Sequence, residues 1–527
     1  MKLYYLKKNI VFEALYNNWY AWSYLISPAT GAMYLKNSHL KIMESFINNP
    51  MVHAAALKNP SMLGGPFIDL PVTSVDEIKN LQEETKSSSE HLCEFADAIR
   101  ELNTLLMNEA DGMSIEELYP RVPDVLKGYI ELVYDVNNYP SFRFIEGLLY
   151  ESEFFNKDAQ SVFMYEAKQD LRTFALSTPR VDFSYGLHLK VPYSDDKIKF
   201  LTSLQKEAKS LEEIQQTLGL NDTNEILPLL TTKYKEDNPG RNYEGDGVRI
   251  RYYGHACVLV ETSEVSILVD PLLSYENDSE IERFTYSDLP DKIDYLLITH
   301  NHQDHILFEH LIRLRDRVKR VIVPRNGNGN LEDPSLRLLF ENLGFEDVTE
   351  VDELAKIMIP NGEIIGLPFF GEHADLKIRT KMAHLVRVKE KSILLAADSS
   401  NVELELYKRL SKTIGDIDII FLGMESEGAP LSWLYGPIMT QPLERKKDQS
   451  RRLNGSDYEA GLGLIKQFNP KSVFVYAMGM EPWAKYILAL EYSESSKQLV
   501  DSNRLIQSCK DAGINAERMY LKKEIHL

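Results

Sequence analysis

Three histidines and an aspartate fall within six consecutive positions, and this cluster constrains the fold more than any other feature of the chain. The four residues are His300, His302, Asp304 and His305. Residues 294–299 before them are apolar and bounded by polar side chains, which predicts a buried strand. The cluster would then lie on the loop at the end of that strand, with a helix beginning near Asp304. Because imidazole nitrogens and carboxylate oxygens are common metal ligands, the sequence predicts a metal site here.

Other stretches predict the strands that surround this loop. Residues 248–253 alternate between apolar and polar side chains, and residues 257–260 and 266–270 flank a polar turn, so the region should begin as a β-meander. Residues 392–397 predict another buried strand, which ends directly before Asp398. The two oxygens of this aspartate could each reach a metal. The alternative is that Asp398 caps the helix predicted over residues 402–414.

The spacing His-x-His-x-Asp-His resembles the signature of the metallo-β-lactamase superfamily. That resemblance implies an α/β fold, the αββα sandwich of the superfamily. It also implies that His300 and His302 bind one metal, that Asp304 and His305 bind a second, and that Asp398 bridges the two. Asp270 is expected to orient the histidine loop by bonding to an imidazole N–H. His255 stays outside the expected metal set, because a histidine on such a strand is more often structural.

The chain departs from the hydrolases of the superfamily at two ligand positions. Glu372 stands after Gly371, where an imidazole is expected, and His373 follows it. In a strand only one of these two neighbours can point inward, and a zinc hydrolase pattern is recovered if that residue is His373. After Asp398 the only remaining histidine is His526, which is too close to the terminus to be a good ligand.

The donor types bear on the identity of the metal. Half of the candidate donors are carboxylates, which is a harder ligand set than that of His-rich zinc sites and suits non-haem iron. Iron can change redox state and bind dioxygen, whereas zinc is limited to polarising a carbonyl or generating hydroxide. The candidate ligands are His300, His302, Asp304, His305, Glu372 and Asp398.

A narrower resemblance rests on the run from His300 to His305, on Gly371-Glu372-His373, on Ala397-Asp398 and on the long N-terminal region. Together these features resemble the CmlA-like di-iron β-hydroxylases, the type found in chloramphenicol biosynthesis. The resemblance implies two iron ions, oxo-bridged when oxidised, with O2 as co-substrate and an external electron donor. It implies a monooxygenase that β-hydroxylates an amino acid tethered to a carrier domain of a nonribosomal peptide synthetase in natural-product biosynthesis. The alternative is a zinc-dependent hydrolase of the lactonase or phosphoesterase kind.

Composition and charge exclude several other classes of protein. A net charge of −20 argues against nucleic-acid binding, and no apolar stretch reaches the length of a membrane helix. Three widely spaced cysteines, Cys93, Cys257 and Cys509, favour reduced thiols in the cytoplasm. Polar, turn-rich residues predict a linker over 236–247. We therefore expect a mixed α+β N-terminal domain over 1–235 and a catalytic domain over 248–527. The resemblance to the di-iron β-hydroxylases implies that the N-terminal domain contributes to a homodimer and to the substrate approach.

Three further features have two readings each. Glu425 follows a predicted strand and could handle protons beside Glu372 and Asp398 as a catalytic group, or belong to an ordinary solvated loop. Two basic runs could dock an acidic carrier domain or form solvated faces. An aromatic N-terminal segment could form a dimer interface or a core. The runs are Arg313, Arg315, Arg317, Lys319 and Arg320, and Arg445, Lys446, Lys447, Arg451 and Arg452; the aromatic residues are Trp19, Tyr20, Trp22 and Tyr24.

Overall fold

Two seven-stranded β-sheets form the C-terminal part of the protein in a computed structural model that describes residues 2–59 and 62–527. The strands are β10 (Arg249–Gly254), β11 (Cys257–Glu261), β12 (Ser266–Val269), β13 (Ile293–Leu297), β14 (Val318–Pro324), β15 (Val348–Val351), β16 (Lys356–Ile359), β17 (Gly362–Leu367), β18 (Ala383–Val388), β19 (Lys391–Leu395), β20 (Ile419–Gly423), β21 (Ser472–Tyr476), β22 (Asn515–Arg518) and β23 (Lys523–His526). The numbering of these strands starts at β10 because nine strands of the N-terminal part come before them in the chain.

The two sheets have related strand orders. The first runs β15-β14-β13-β12-β11-β10-β23 and the second runs β16-β17-β18-β19-β20-β21-β22. Strands β12 to β15 pair in parallel, as do β19 to β22, while the remaining pairs are antiparallel. The loops that follow β13 and β19 meet at one edge of the sandwich, where Nε2 of His305 lies 3.0 Å from Oδ2 of Asp398.

Helices cover the outer faces of both sheets. On the first sheet they are α10 (Phe308–Leu314) and α11 (Leu336–Asn342), and on the second they are α12 (Leu404–Ile414), α15 (Tyr458–Phe468) and α17 (Lys497–Asp511). Three short helices lie in the connections after β20 and β21: α13 (Leu431–Leu434), α14 (Arg445–Ser450) and α16 (Lys485–Leu488). Val260 and Ile267 of the first sheet share one buried cluster with Val386 and Phe421 of the second, so the sheets pack face to face. The order helix, sheet, sheet, helix is the predicted αββα sandwich.

The N-terminal part is mixed α and β, as predicted. Its strands are β1 (Leu3–Leu6), β2 (Ile10–Tyr16), β3 (Trp19–Tyr20), β4 (Ile130–Tyr134), β5 (Pro140–Phe144), β6 (Gln160–Glu166), β7 (Leu187–Leu189), β8 (Lys209–Ser210) and β9 (Leu230–Thr231). Its helices are α1 (Ser23–Ile26), α2 (Pro28–Tyr34), α3 (Leu40–Asn48), α4 (Pro50–Ala56), α5 (Val75–Ser88), α6 (Glu90–Glu109), α7 (Glu146–Tyr150), α8 (Asp196–Ser203) and α9 (Leu211–Leu218).

One hydrophobic cluster joins the two parts of the chain. Phe12 of β2 and Leu311 of α10 both belong to it, so the N-terminal part packs on the outer face of the first sheet. The aromatic segment at the start of the chain is buried, with Trp19, Tyr20, Trp22 and Tyr24 each at most 4 % exposed. The core reading of that segment is therefore confirmed, and its use as an exposed dimer interface is excluded. Within the described residues, none of the helices has both the length and the apolar character needed to cross a membrane.

Candidate metal centre

The histidine loop follows β13 and turns sharply before the next helix. The backbone N–H groups of His305 and Ile306 both donate to the carbonyl oxygen of His302, at 3.2 and 3.1 Å. This turn precedes α10, so the helix predicted to begin near Asp304 begins later, at Phe308. A regular helix would direct side chains two residues apart to different faces, whereas the turn lets all four donor side chains converge.

The first group of donors consists of His300, His302 and Glu372. Their ligand atoms lie within 4.8 Å of one another, and all three side chains are buried. Oε1 of Glu372 lies 2.9 Å from Nδ1 of His302, and Oε2 lies 3.6 Å from Nε2 of His300. One carboxylate and two imidazoles thus surround one position, as a single metal ion requires.

The second group of donors is centred on His305 and Asp398. Nε2 of His305 lies 3.0 Å from Oδ2 of Asp398 and 3.6 Å from Oδ2 of Asp304. The same Oδ2 of Asp398 lies 3.9 Å from Nε2 of His300 in the first group. Asp398 therefore stands between the two groups, in the position that a bridging carboxylate occupies in two-metal sites.

The loop that carries Glu372 has an unusual backbone. Gly371 has φ +77°, and a Cβ there would meet Oγ of Ser400. Glu372 itself has φ +63°, a backbone conformation that residues other than glycine rarely adopt. Strained backbone of this kind costs about 1–3 kcal/mol per residue and tends to persist at functional sites. Here the strain directs Glu372 toward the histidines.

His373 lies beside the donors but faces differently. Its ring stacks on that of His302, with centroids 4.4 Å apart, and its Nδ1 lies 3.2 Å from the carbonyl oxygen of Gly371. Glu372 belongs to a group of converging donor atoms, whereas His373 belongs to none among the described residues. The geometry thus favours Glu372 as the donor at this position.

Several donor atoms are buried without a hydrogen-bond partner. They include Nε2 of His300, Oε2 of Glu372 and Oδ1 of Asp398. Buried polar atoms are nearly always paired, so three unpaired donors that converge on one space indicate a site that fits a cation. These donors fit a pair of metal ions, and the equal share of carboxylates suits iron.

The electrostatics of the cluster also indicate that it fits a cation. Burial, together with the charges of Asp398 and Asp304, raises the pKa of Glu372 well above its usual range. Burial alone would lower the pKa of His305, but its carboxylate neighbours, Asp304 first, raise it well above the ordinary value. Crowded carboxylates and imidazoles of this kind need a positive ion to remain ionised together.

Asp270 fixes the orientation of the histidine loop, as predicted. Its Oδ2 lies 2.7 Å from Nδ1 of His305, which leaves Nε2 of that ring free for a metal. Its Oδ1 accepts the backbone N–H of Thr299 at 2.9 Å. The hydroxyl of Thr299 in turn lies 3.0 Å from Nδ1 of His300. One carboxylate thus positions two rings of the cluster, directly for His305 and through Thr299 for His300.

We expect Asp270→Asn to lower the affinity of the protein for metal roughly 10- to 100-fold, because the amide cannot hold His305 in the same tautomer. Competition with a chelator would measure the loss. Asp333→Asn is a matched control, since Asp333 is also buried but bonds to Thr380, away from the cluster. Equal metal affinity in the two variants would contradict the positioning role of Asp270.

A cavity of about 780 Å³ leads to the donor cluster. Its inner end exposes Asp304, Glu372, Asp398 and Glu425, while α2, α3 and residues 62–66 of the N-terminal part line another side. Burial and then the charge of Asp398 raise the pKa of the Glu425 carboxyl well above its usual range. Glu425 therefore borders the cavity beside the cluster, as the proton-handling reading of the sequence requires.

Comparison with known proteins covers the whole chain. Residues 5–233 match a family model described as "Diiron non-heme beta-hydroxylase N-terminal domain", and residues 249–361 match "Beta-lactamase superfamily domain". A 4-amino-L-phenylalanyl-[CmlP-peptidyl-carrier-protein] 3-hydroxylase of Streptomyces venezuelae is 38 % identical over 99 % of this chain and 100 % of its own length. The chain belongs to the di-iron β-hydroxylase family. It is therefore an enzyme whose centre takes two iron ions.

Solved structures agree with this family assignment. The crystal structure of CmlA, a di-iron β-hydroxylase from Streptomyces venezuelae, matches with a TM-score of 0.93 and 38 % identity, and covers 100 % of both chains. A UPF0173 protein of Pyrococcus abyssi is 32 % identical over 127 residues, which is 24 % of this chain and 50 % of that protein. The likeness to the di-iron hydroxylase thus spans both parts of the chain, whereas the likeness to this other relative is confined to a segment.

Two residues that contact the candidate ligands were missed or set aside in the sequence. Nε2 of His255 lies 2.9 Å from Oδ2 of Asp304, so His255 lies beside the second group of donors, in contact with a candidate ligand. The hydroxyl of Tyr435 lies 2.8 Å from Nε2 of His302. His255 was visible as a histidine before a strand, but no local signal marked Tyr435. In contrast, His526 lies at the exposed end of β23, bonded to Glu524.

Two residues of the first basic run pack inside this di-iron hydroxylase. Arg313 is 2 % exposed, and its guanidinium lies over the ring of Tyr286, 4.2 Å from the centroid. Arg315 donates to the carbonyl oxygen of Tyr193 at 3.0 Å. Arg313 is therefore part of neither a solvated face nor a docking patch, whereas Lys319 of the same run is exposed. The second run differs, since Arg445 and Arg452 line the cavity that leads to the cluster.

Proposed function

We propose that this protein uses dioxygen and electrons from an external donor to hydroxylate the β-carbon of an amino acid held on a carrier domain of a nonribosomal peptide synthetase. The observation that carries the proposal is the cavity, because it reaches the donor cluster at one end and a basic rim at the other. Its lining includes four of the six candidate ligands, together with Arg445 and Arg452: His302, Asp304, Glu372 and Asp398. The Streptomyces venezuelae relative is named for hydroxylation at position 3 of an aminoacyl group on a peptidyl carrier protein. Its similarity over the whole chain supports the same reaction class here.

The ligand set that we propose consists of three imidazoles and three carboxylates. His300, His302 and Glu372 would hold one iron, Asp304 and His305 the other, and Asp398 both. When bound, the irons supply the redox chemistry that activates dioxygen, which amino-acid side chains alone do not provide. The protein contributes the buried position of the donors and the exclusion of bulk water around them.

Glu425 is the side chain that we propose to handle protons beside the irons. It lines the cavity together with Glu372 and Asp398, but unlike them it belongs to no group of converging donor atoms among the described residues. Burial favours its protonated form, so a carboxylic acid there could donate a proton during the reaction and recover it from solvent. We assign it a proton-transfer role and not a metal-binding role.

The N-terminal part is proposed to shape the approach of the substrate. Trp22, Tyr34 and Phe174 line the cavity opposite the metal ligands, so this part closes the space above the cluster. We propose domains over 1–235 and 248–527 with a linker over 236–247, and a homodimer in a cytoplasmic setting. The basis for the dimer is the family resemblance, and the basis for the compartment is the reduced state of Cys93, Cys257 and Cys509.

The form of the substrate is open to a direct test. We expect reduced enzyme to consume dioxygen and to add one oxygen atom to an aminoacyl group on a carrier domain, measured by mass spectrometry of the intact carrier. The free amino acid should remain unchanged, because only the tethered form gains affinity from contacts along the arm and the carrier surface. A carrier domain without its phosphopantetheine arm is the control. Equal turnover of the free amino acid would overturn the tethered-substrate proposal.

A further inference from the structure

We propose that Arg445 and Arg452 form a subsite for the phosphate of the phosphopantetheine arm at the mouth of the cavity. This inference rests on the proposed function and specifies how the arm is recognised. Both side chains line the same cavity as Asp304 and Glu372. Arg445 is exposed, whereas the metal ligands are buried, so the arginine marks the outer end of the cavity and the ligands mark its inner end.

The arginines of this rim lack carboxylate partners. Within residues 2–59 and 62–527, neither Arg445 nor Arg452 makes an ion pair, and the neighbouring Lys446 makes neither an ion pair nor a side-chain hydrogen bond. By contrast, Lys447 in the same helix pairs with Glu444 at 3.3 Å. The chain has 79 acidic and 59 basic residues, so cations without partners beside one cavity are not a consequence of a shortage of carboxylates. Glu427 also lines the cavity, without pairing to either arginine.

The guanidinium of Arg452 is held in place by neutral groups. Its Nε donates to the carbonyl oxygen of Gly428 at 2.8 Å, and its Nη1 donates to Oε1 of Gln449 at 3.2 Å. Both contacts fix the plane of the guanidinium without neutralising its charge. In the described part of the chain, Nη2 has no protein partner, so it is available to an anion. A fixed planar fork is the arrangement that suits phosphate oxygens.

The chemistry of the arm matches the two ends of this cavity. A phosphopantetheine arm carries a phosphodiester where it joins the carrier domain and a thioester at its far end. With the phosphate on Arg445 and Arg452, the aminoacyl thioester would extend inward toward Glu372 and Asp398. The volume of about 780 Å³ lies within the range of about 300–1,000 Å³ that is typical of ligand pockets. The contact of the phosphate with the two arginines would thus determine how far the β-carbon of the substrate reaches into the cavity.

The test compares phosphopantetheine with pantetheine, which lacks the phosphate, as ligands of the iron-loaded enzyme. We expect the native enzyme to bind phosphopantetheine more tightly, in a salt-dependent way. Arg452→Gln and Arg445→Glu should each weaken that binding roughly 10- to 100-fold, because a hydrogen bond to a charged group is lost. Pantetheine binding and iron content should not change. Lys319→Glu is the matched control, since Lys319 is an exposed cation of the first basic run that does not line the cavity.

Two outcomes would overturn the subsite. One is equal affinity of the native enzyme for phosphopantetheine and pantetheine. The other is that Arg452→Gln and Arg445→Glu bind phosphopantetheine normally but have lost affinity for the carrier domain. The two arginines would then contact the carrier surface and not the phosphate. A different result would contradict the proposed function alone. If the enzyme turned over the free amino acid but still preferred phosphopantetheine to pantetheine, the tethered-substrate proposal would fail, and the anion site at the mouth of the cavity would stand.

Discussion

Glu372→Ala should lose iron from one of the two metal positions, whereas His373→Ala should retain both irons. Glu372 faces His300 and His302 with both of its oxygens, while His373 stacks on His302 and directs Nδ1 toward a backbone carbonyl. The loss of a direct ligand should exceed the roughly 10- to 100-fold fall in affinity that is typical of outer partners. Iron analysis of both purified variants would measure the difference.

Glu372→Gln separates the charge of the side chain from its shape. The amide keeps the volume and one oxygen donor but removes the negative charge that stabilises the metal, so it should bind iron more weakly than the native protein. Unfolding should be monitored in parallel, to confirm that each variant remains folded. If His373→Ala lost iron and Glu372→Ala kept it, the ligand set would return to that of the zinc hydrolases.

Protein purified without added metal should contain about two irons per chain, because half of the donor set is carboxylate. In the oxidised state we expect a near-ultraviolet absorption band from an oxo bridge between the irons, and reduction should bleach this band. Elemental analysis and a spectrum recorded before and after anaerobic reduction are sufficient. The same preparation of the Asp398→Ala variant should lack the band, because it lacks the carboxylate that stands between the two donor groups.

Zinc provides the contrasting result. Because zinc has no redox chemistry, a protein with stoichiometric zinc and no reducible band would be limited to hydrolysis. Such a result would contradict the di-iron assignment for this chain. Reconstitution of the metal-free protein with iron and with zinc in parallel is the control, since only the iron form should take up dioxygen after reduction.

The run from His300 to His305 shows how much a short segment can encode. The strand before these four donors and the loop that carries them were predicted from residues close together in the chain. The sandwich was predicted from the resemblance of the donor spacing to the metallo-β-lactamase signature. Asp398 was predicted for the same reason, since it directly follows the buried strand β19. The role of Asp270 was implied by the superfamily resemblance, and its contact with His305 agrees.

Burial of charged residues was harder to predict from the sequence. Arg313 looked like part of an exposed basic run, but it lies under Tyr286 in the interior. Arg249 and Arg251 gave β10 an alternating pattern that normally marks one solvated face, yet both are buried against Glu261. The sequence shows the charge of a side chain, whereas its surroundings depend on which elements pack over it.

The sequence by itself determined the types of donor, their local spacing, the class of fold and the family. Only the tertiary structure decided that Glu372 and not His373 faces the donors, and that His255 meets Asp304 across 49 residues of chain. It also decided that Arg445 and Arg452 share a cavity with the cluster. The physical reason is that strand and loop propensities act over a few residues, whereas these contacts depend on how two sheets and the N-terminal part pack against one another.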